Sequence, residues 1–168
     1  MTAMQSAPIP VPRPDGRTHY EAVLDVRYGI RFNVLCERAY RRADMLLTAV
    51  TVIGGSAAAV AWVNRSPEWA AASGLVLAVL SVLQVVAAPG RAAAEHHMAA
   101  LEYARLDARA QGLMLEQVDA ELRLLQAQAP SGLALLAVPA FNANVRSAGR
   151  EECVRALSWR ERVASALA

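Results

Sequence analysis

The chain has 168 residues, of which 55% are apolar and only 19% are charged, and its formal net charge is +2. This length suits about one domain, and the apolar share exceeds the ~45–50% of typical soluble chains, which excludes disorder for most of the sequence. Nine Gly, two Cys and 5% aromatic residues argue against collagen-like, disulfide-stapled and aromatic-rich all-β proteins.

The first segment, residues 1–16, is predicted to be a flexible tail. It contains Pro8, Pro10, Pro12 and Pro14 and no continuous apolar stretch. It also lacks the basic start and the apolar centre of a secretory signal.

Residues 17–44 carry two patterns at once. Apolar residues alternate from Val26 to Val34 as in a strand, but no other segment offers a partner strand, so we predict a helix that runs into the segment beyond. On that helix a group of arginines falls within a sector of about 60° or just beside it: Arg27, Arg31, Arg38, Arg41 and Arg42. This stripe would contact anionic lipid, an acidic partner or a ligand, or would be a solvated face that keeps this side cytoplasmic.

The middle of the chain contains two runs without an ionisable side chain, twenty residues from Met45 to Asn64 and twenty-two from Trp69 to Gly90. As helices they would be about 30 Å and 33 Å long, against a bilayer core of about 30 Å. Only a short polar turn with Pro67 separates them. We predict an all-α membrane protein with a two-pass transmembrane hairpin over residues 45–90, its spans at about 45–64 and 69–88.

The orientation of this hairpin follows from arginine placement. The turn carries only Arg65, whereas arginines crowd the sequence before the first run and follow the second. Because Lys and Arg are retained on the cytoplasmic side, both termini are predicted to be cytoplasmic.

Small and polar residues within the two runs are candidates for packing and pore lining. Small residues four apart let helices approach closely, which predicts oligomerisation through Gly54, Gly55, Ala58, Ala59, Gly74 and Ala78. Polar groups in the second run would face water in a pore, namely Ser73, Ser81 and Gln84. The alternative for Gln84 is a single interhelical hydrogen bond.

Residues 91–129 are predicted to form one long cytoplasmic helix with a heptad seam. The seam consists of Ala94, His97, Leu101, Ala104, Ala108, Gln111, Leu115, Val118, Leu122 and Leu125. Its partner would be the helix over 17–44 of the same chain or the same helix in neighbouring subunits, and we favour a bundle that also assembles. Residues 130–168 are predicted to be a C-terminal helical segment.

Catalytic and metal-binding patterns are weak. His96 and His97 are adjacent, which on a helix points them about 100° apart, and core or surface roles suit them better than ligation. Cys36 and Cys153 belong to no motif, and the sequence contains no nucleophile elbow, phosphate loop or HExxH. We predict no enzymatic activity and no cofactor.

Three stretches resemble the SLATT family, the two-transmembrane effector domains associated with nucleotide-sensing and nucleotide-synthesising systems in bacteria. They are RAYRRAD at 38–44, AAEHHMAALEYARLDARA at 93–110 and VPAFNANVRSAGREE at 138–152. The resemblance implies an inner-membrane antiviral or self-limiting effector that forms pores or disrupts the membrane when a separately encoded nucleotide-signalling enzyme or sensor protein signals. The partners it implies are membrane lipid, further copies of the chain and that sensor, with no direct contact to nucleic acid.

Two other functions remain open from the sequence. One is a phage protein of holin type that acts in lysis or superinfection exclusion, which would permeabilise cells without an activating partner. The other is a scaffold that tethers a cytoplasmic complex to the membrane without forming a pore.

Overall fold

A computed structural model describes residues 16–54 and 67–168. Over these ranges the regular structure is entirely helical, which confirms the all-α prediction there. The α-helices are α1 (His19–Gly54), α2 (Pro67–Ala87), α3 (Pro89–Ala110), α4 (Leu115–Gln128), α5 (Ala137–Ser147) and α6 (Trp159–Leu167), with short 3₁₀ turns at Ala134–Leu136 and Glu151–Cys153. Gly55, Ala58, Ala59, Arg65 and nearly all of the Pro-rich tail lie outside the described residues.

Helix α1 runs without interruption through 36 residues, about 54 Å at ~1.5 Å per residue. The predicted helix over the ambiguous stretch is therefore confirmed. Its strand-like alternation has a physical explanation, because α1 is packed on two sides. Val26 belongs to a core formed with α3 and α4, whereas Phe32 and Cys36 contact residues of the C-terminal segment.

Helices α2 and α3 run back along α1 in the antiparallel direction. Progressively earlier positions of α1 meet progressively later positions of α2 and α3, through the pairs Thr48–Gln84, Asn33–His96 and Arg27–Asp107. A slight break separates α2 from α3, where Ala88 takes a left-handed conformation (φ 39°) just before Pro89. The result is one long helical hairpin.

Among the described residues, two clusters of buried side chains hold the helices together. The first joins α1 to α3 and α4, through Ala22, Val23, Val26, Tyr103, Leu106, Ala110, Val118 and Leu122. The second joins α1 to the C-terminal segment, through Cys36, Leu136 and Ala168. Both clusters lie in the half of the hairpin away from residues 45–87, which we call the bundle.

The prediction of a single helix over 91–129 is wrong. The chain leaves the helix after Ala110 and starts α4 at Leu115, with Met114 extended (φ −73°, ψ 156°). The new helix start is stabilised by Gln117, whose side-chain oxygen accepts a hydrogen bond from the Met114 backbone N–H at 2.9 Å. On the other side of the turn, the imidazole of His19 lies 3.0 Å from the Ala110 carbonyl oxygen.

Along most of α3 the buried face lies one residue before the predicted heptad seam. The buried face is Pro89, Ala93, His96, Ala100, Tyr103, Leu106 and Ala110, and Leu101 is exposed. Along α4 the prediction agrees with the structure, because Val118 and Leu122 are buried and Leu115 and Leu125 pack against them. The intramolecular partner of α3 is α1, as one of the two predicted alternatives proposed.

Candidate functional site

The end of the hairpin away from the bundle exposes its large apolar side chains. We call residues 45–53 of α1 and 74–87 of α2 the apolar end. Ile53, Leu75, Val85 and Val86 are between 67% and 79% exposed there. Helices that are apolar on every face need an apolar environment, and a contiguous exposed patch of this kind marks a contact with membrane or protein.

Within the described residues, one helical stretch is long and apolar enough to cross a membrane by length and composition. This stretch is Gly74–Ala110, which includes an 18-residue window of mean hydropathy 1.8. Only 6% of that window is buried by the rest of the chain, unlike the core helix of a soluble protein.

Polar groups in the apolar end make hydrogen bonds between or within helices. The Gln84 amide nitrogen donates to the Thr48 hydroxyl oxygen at 3.0 Å, and the Thr51 hydroxyl donates to the Leu47 carbonyl oxygen at 2.8 Å. The alternative of an interhelical hydrogen bond for Gln84 therefore describes this structure. Ser81 is exposed, while the side chain of Ser73 lies outside the described atoms.

The described small residues of α2 lie at open positions. A Cβ added to Gly74 would meet no atom within 4 Å, and Ala78 is exposed. Gly54 is the last residue of α1. The predicted role of these residues in oligomerisation therefore stays a prediction.

The arginine stripe is largely engaged within the fold. Arg27 pairs with Asp107 at 3.0 Å, Arg41 with Glu37 at 2.5 Å, and Arg42 donates to the Ala166 carbonyl oxygen at 3.2 Å. Arg38 is exposed, and the Nε of Arg31 is buried. The stripe thus ties α1 to α3 and α6, which favours the structural interpretation over a continuous binding surface.

A buried polar junction fixes α1 against α3, and we define it as Asn33, Tyr40 and His96. The Nδ1 of His96 lies 2.8 Å from Asn33 Oδ1, while Asn33 Nδ2 donates to the Gly29 carbonyl oxygen at 2.8 Å. Because that donation leaves Oδ1 as an acceptor, His96 donates through Nδ1–H. The imidazole also stacks on the Tyr40 ring, with centroids 5.5 Å apart.

Burial lowers the pKa of His96, although the Ser131 backbone and the Glu95 carboxylate favour its protonation. The junction therefore holds a neutral histidine, in agreement with its interpretation as a core residue. His97, one position on, is half exposed and pairs with Glu37 at 3.1 Å. Among residues 16–54 and 67–168, no group of three His, Cys, Asp or Glu side chains could hold a metal ion.

The buried histidine makes stability depend on pH. The pKa of His96 in the folded chain lies below the ordinary histidine value of 6.5. At pH values below about 6.5, the unfolded chain therefore binds more protons than the folded chain. The free energy of unfolding should fall as pH drops below about 6.5, by at most about 1.4 kcal/mol per pH unit for one proton. Thermal unfolding followed from about pH 5 to about pH 7.5, a window that brackets the ordinary histidine pKa, measures this dependence.

The two neighbouring histidines provide a matched control for this prediction. His96→Gln should flatten the dependence of the unfolding temperature on pH, whereas His97→Gln should retain it. An equal slope in the wild-type chain and in His96→Gln would contradict the assignment to His96.

Sequence reasoning missed Asn33 and Tyr40, because a buried hydrogen bond between residues 63 apart has no local signature. Comparisons with family models, with curated proteins and with solved structures found no match for this chain. The case for a function therefore depends on the geometry and the residue pattern above.

Proposed function

We propose that this chain is a small effector of the bacterial inner membrane. Its apolar end inserts as a two-pass hairpin, both termini remain cytoplasmic, and copies assemble into a membrane-permeabilising oligomer. The observation that carries the proposal is the exposed apolar surface of residues 45–53 and 74–87, next to a bundle that has a buried apolar core of its own. A lipid bilayer supplies the environment that such helices require.

The continuity of α1 supports a role in signalling between the two halves. The same helix contributes Ala22 and Val26 to the bundle core and Val52 and Ile53 to the apolar end. A rearrangement of the bundle would therefore move the apolar end as part of one rigid element. A separately encoded nucleotide-signalling enzyme or sensor, acting on the bundle, is the proposed control.

Assembly in the bilayer would use the small residues in the middle of the first apolar run. Gly54, Gly55 and Ala58 are spaced so that neighbouring helices approach closely. Leu side chains at all three positions would separate the helices while leaving the runs apolar, so that insertion is preserved and close packing is lost.

We expect the purified chain to conduct ions in planar bilayers once an extract of cells in which it is toxic is added, and the triple variant G54L/G55L/A58L to lose that conductance. Ala120→Leu, at an exposed position of α4, is the matched control and should conduct like the wild-type chain. Resistance to carbonate extraction confirms that each variant is inserted.

The wild-type chain could be inserted and still conduct no ions, even after an extract of cells in which it is toxic is added. That result would overturn pore formation and favour the scaffold. Conductance that appears without any activating protein would favour a holin-like role over a controlled effector. The two alternatives are thus separated by one set of recordings.

A further inference from the structure

A cleft of about 380 Å³ lies in the bundle between α1 and α5. Helix α1 contributes Leu24 and Tyr28 to its walls, and helix α5 contributes Phe141 and Val145. Beside the cleft the two helices are joined by Asn144, whose Nδ2 donates to the Leu24 carbonyl oxygen at 2.9 Å. The cleft therefore has apolar side chains on both walls.

Each helix supplies the cleft with one aromatic ring that a neighbour holds in place. Tyr28 stacks on Phe32 with ring centroids 6.1 Å apart, and the guanidinium of Arg155 lies 4.5 Å from the Phe141 centroid. Grooves lined by aromatic rings are the surfaces that bind polyproline segments, because such segments are already extended and lose little conformational entropy on binding.

The charged groups at the cleft balance one another. Arg17 contacts Asp25 at 2.5 Å, and Arg150 lines the cleft together with Glu21. With both signs present in equal number, the cleft suits an apolar occupant rather than a charged one.

The chain itself contains a segment of the required kind, just before the described part. Residues 8–14 read PIPVPRP, with proline at every second position. Proline fixes the backbone near the polyproline conformation, which rises about 3.1 Å per residue, so the seven residues extend over about 22 Å.

This segment is attached at the edge of the cleft. Gly16 follows it by two residues and takes a left-handed conformation (φ 59°) that turns the backbone before α1. Arg17, the next residue, contacts Asp25, which lines the cleft. Tyr28 lies twelve residues from Gly16, about 18 Å along a helix. An extended segment that folds back along α1 is therefore long enough to cover the cleft.

A second groove, of about 470 Å³, is a less suitable place for this segment. It is lined by residues of α3 and α4 that include Ala94, Met98 and Leu125. The aromatic side chain at this groove, Tyr103, is only 4% exposed. Proline rings would find little aromatic surface there, which favours the cleft between α1 and α5.

We infer that residues 8–14 of this chain occupy the cleft between α1 and α5 as a polyproline segment, with proline rings packed against Tyr28 and Phe141. Because the segment is joined to α1, its effective concentration at the cleft is on the order of millimolar, so weak contacts suffice. The contact lies in the bundle and does not depend on the proposed membrane function.

Distances between two nitroxide labels on the full chain, measured by electron paramagnetic resonance in nanodiscs of phosphatidylcholine, test this inference. One label is placed at Ile9→Cys, which retains all four prolines. The second is placed at Arg146→Cys on α5 or at Gln128→Cys beside the second groove, both at exposed positions. Cys153→Ser removes the exposed thiol, and Cys36 is buried and stays unlabelled. We expect a narrow distribution from residue 9 to residue 146, and a longer distance from residue 9 to residue 128.

Two variants and a control locate the contact. P8S/P10S/P12S/P14S keeps the length of the tail and should broaden the distribution between residues 9 and 146 at least about twofold, because a serine-rich tail is a flexible coil. It changes no residue of the bundle, so its outcome does not depend on folding. Val145→Glu, which places a charge in the apolar wall, should broaden the distribution similarly, whereas Val163→Glu on α6 should leave it unchanged.

Three results would overturn the contact. They are an equally broad distribution in the wild-type tail and in the serine variant, a shorter distance from residue 9 to residue 128 than to residue 146, and an unchanged distribution in Val145→Glu.

Discussion

Replacing Val79 with Arg is expected to remove the chain from the integral membrane fraction. Val79 lies near the middle of α2, and its side chain is 51% exposed. An arginine at the centre of a span costs about 2.5–3.5 kcal/mol, and the lost apolar side chain adds about 0.3–0.6 kcal/mol. The sum corresponds to about a hundredfold or greater shift in the insertion equilibrium, which carbonate extraction of membranes measures.

Val163 on α6 provides the matched control for this prediction. It is also 51% exposed, but it belongs to the bundle. In water, arginine would be tolerated equally at both positions, whereas in a bilayer only the Val79 substitution meets hydrocarbon. We expect Val163→Arg to stay with the membrane, and identical behaviour of the two variants would contradict insertion of the apolar end.

The sequence identified the apolar end because absence of charge is a local property that needs no knowledge of the fold. Between Trp69 and Gly90 no side chain is ionisable, and the structure leaves most of the described side chains of this run exposed. The helical nature of α1 was also predictable, because a strand at Val26–Val34 would have had no partner.

The seam of α3 could not be predicted because this helix is rich in alanine. Ala93 and Ala94, like Ala99 and Ala100, supply a small apolar residue in either of two adjacent registers. The predicted heptad seam therefore includes Leu101, whereas the structure buries the larger ring of Tyr103. Polar atoms on Tyr and His make such residues look unsuited to a core until their neighbours are known.

The candidate sites of the bundle were beyond sequence reasoning for a related reason. The sequence marks His96 as a core or surface residue without indicating its partner, because Asn33 lies on another helix and carries no motif. Asn144 is likewise separated from Leu24 by 120 positions. Such sites depend on the relative placement of helices, which periodicity within each helix does not determine.

Gly29→Ala is expected to destabilise the bundle although alanine favours helix. A Cβ at Gly29 would lie 2.5 Å from two ring carbons of Tyr103, whose side chain is 4% exposed. Overpacking at such a site costs about 3 kcal/mol, and the higher helix propensity of alanine offsets about 1 kcal/mol of this cost. We expect the free energy of unfolding to fall by about 2 kcal/mol, as measured by chemical denaturation in micelles.

A double-mutant cycle connects this loss to Tyr103. Because the clash involves ring carbons, Tyr103→Leu should relieve it, so that G29A/Y103L is more stable than the sum of the single variants predicts by about 1 kcal/mol or more. Gly112→Ala is the control, since its Cβ would meet only the Arg109 carbonyl oxygen at 3.6 Å, an ordinary contact. Additive effects of Gly29→Ala and Tyr103→Leu would show that close approach of α1 and α3 at this point is not what requires the glycine.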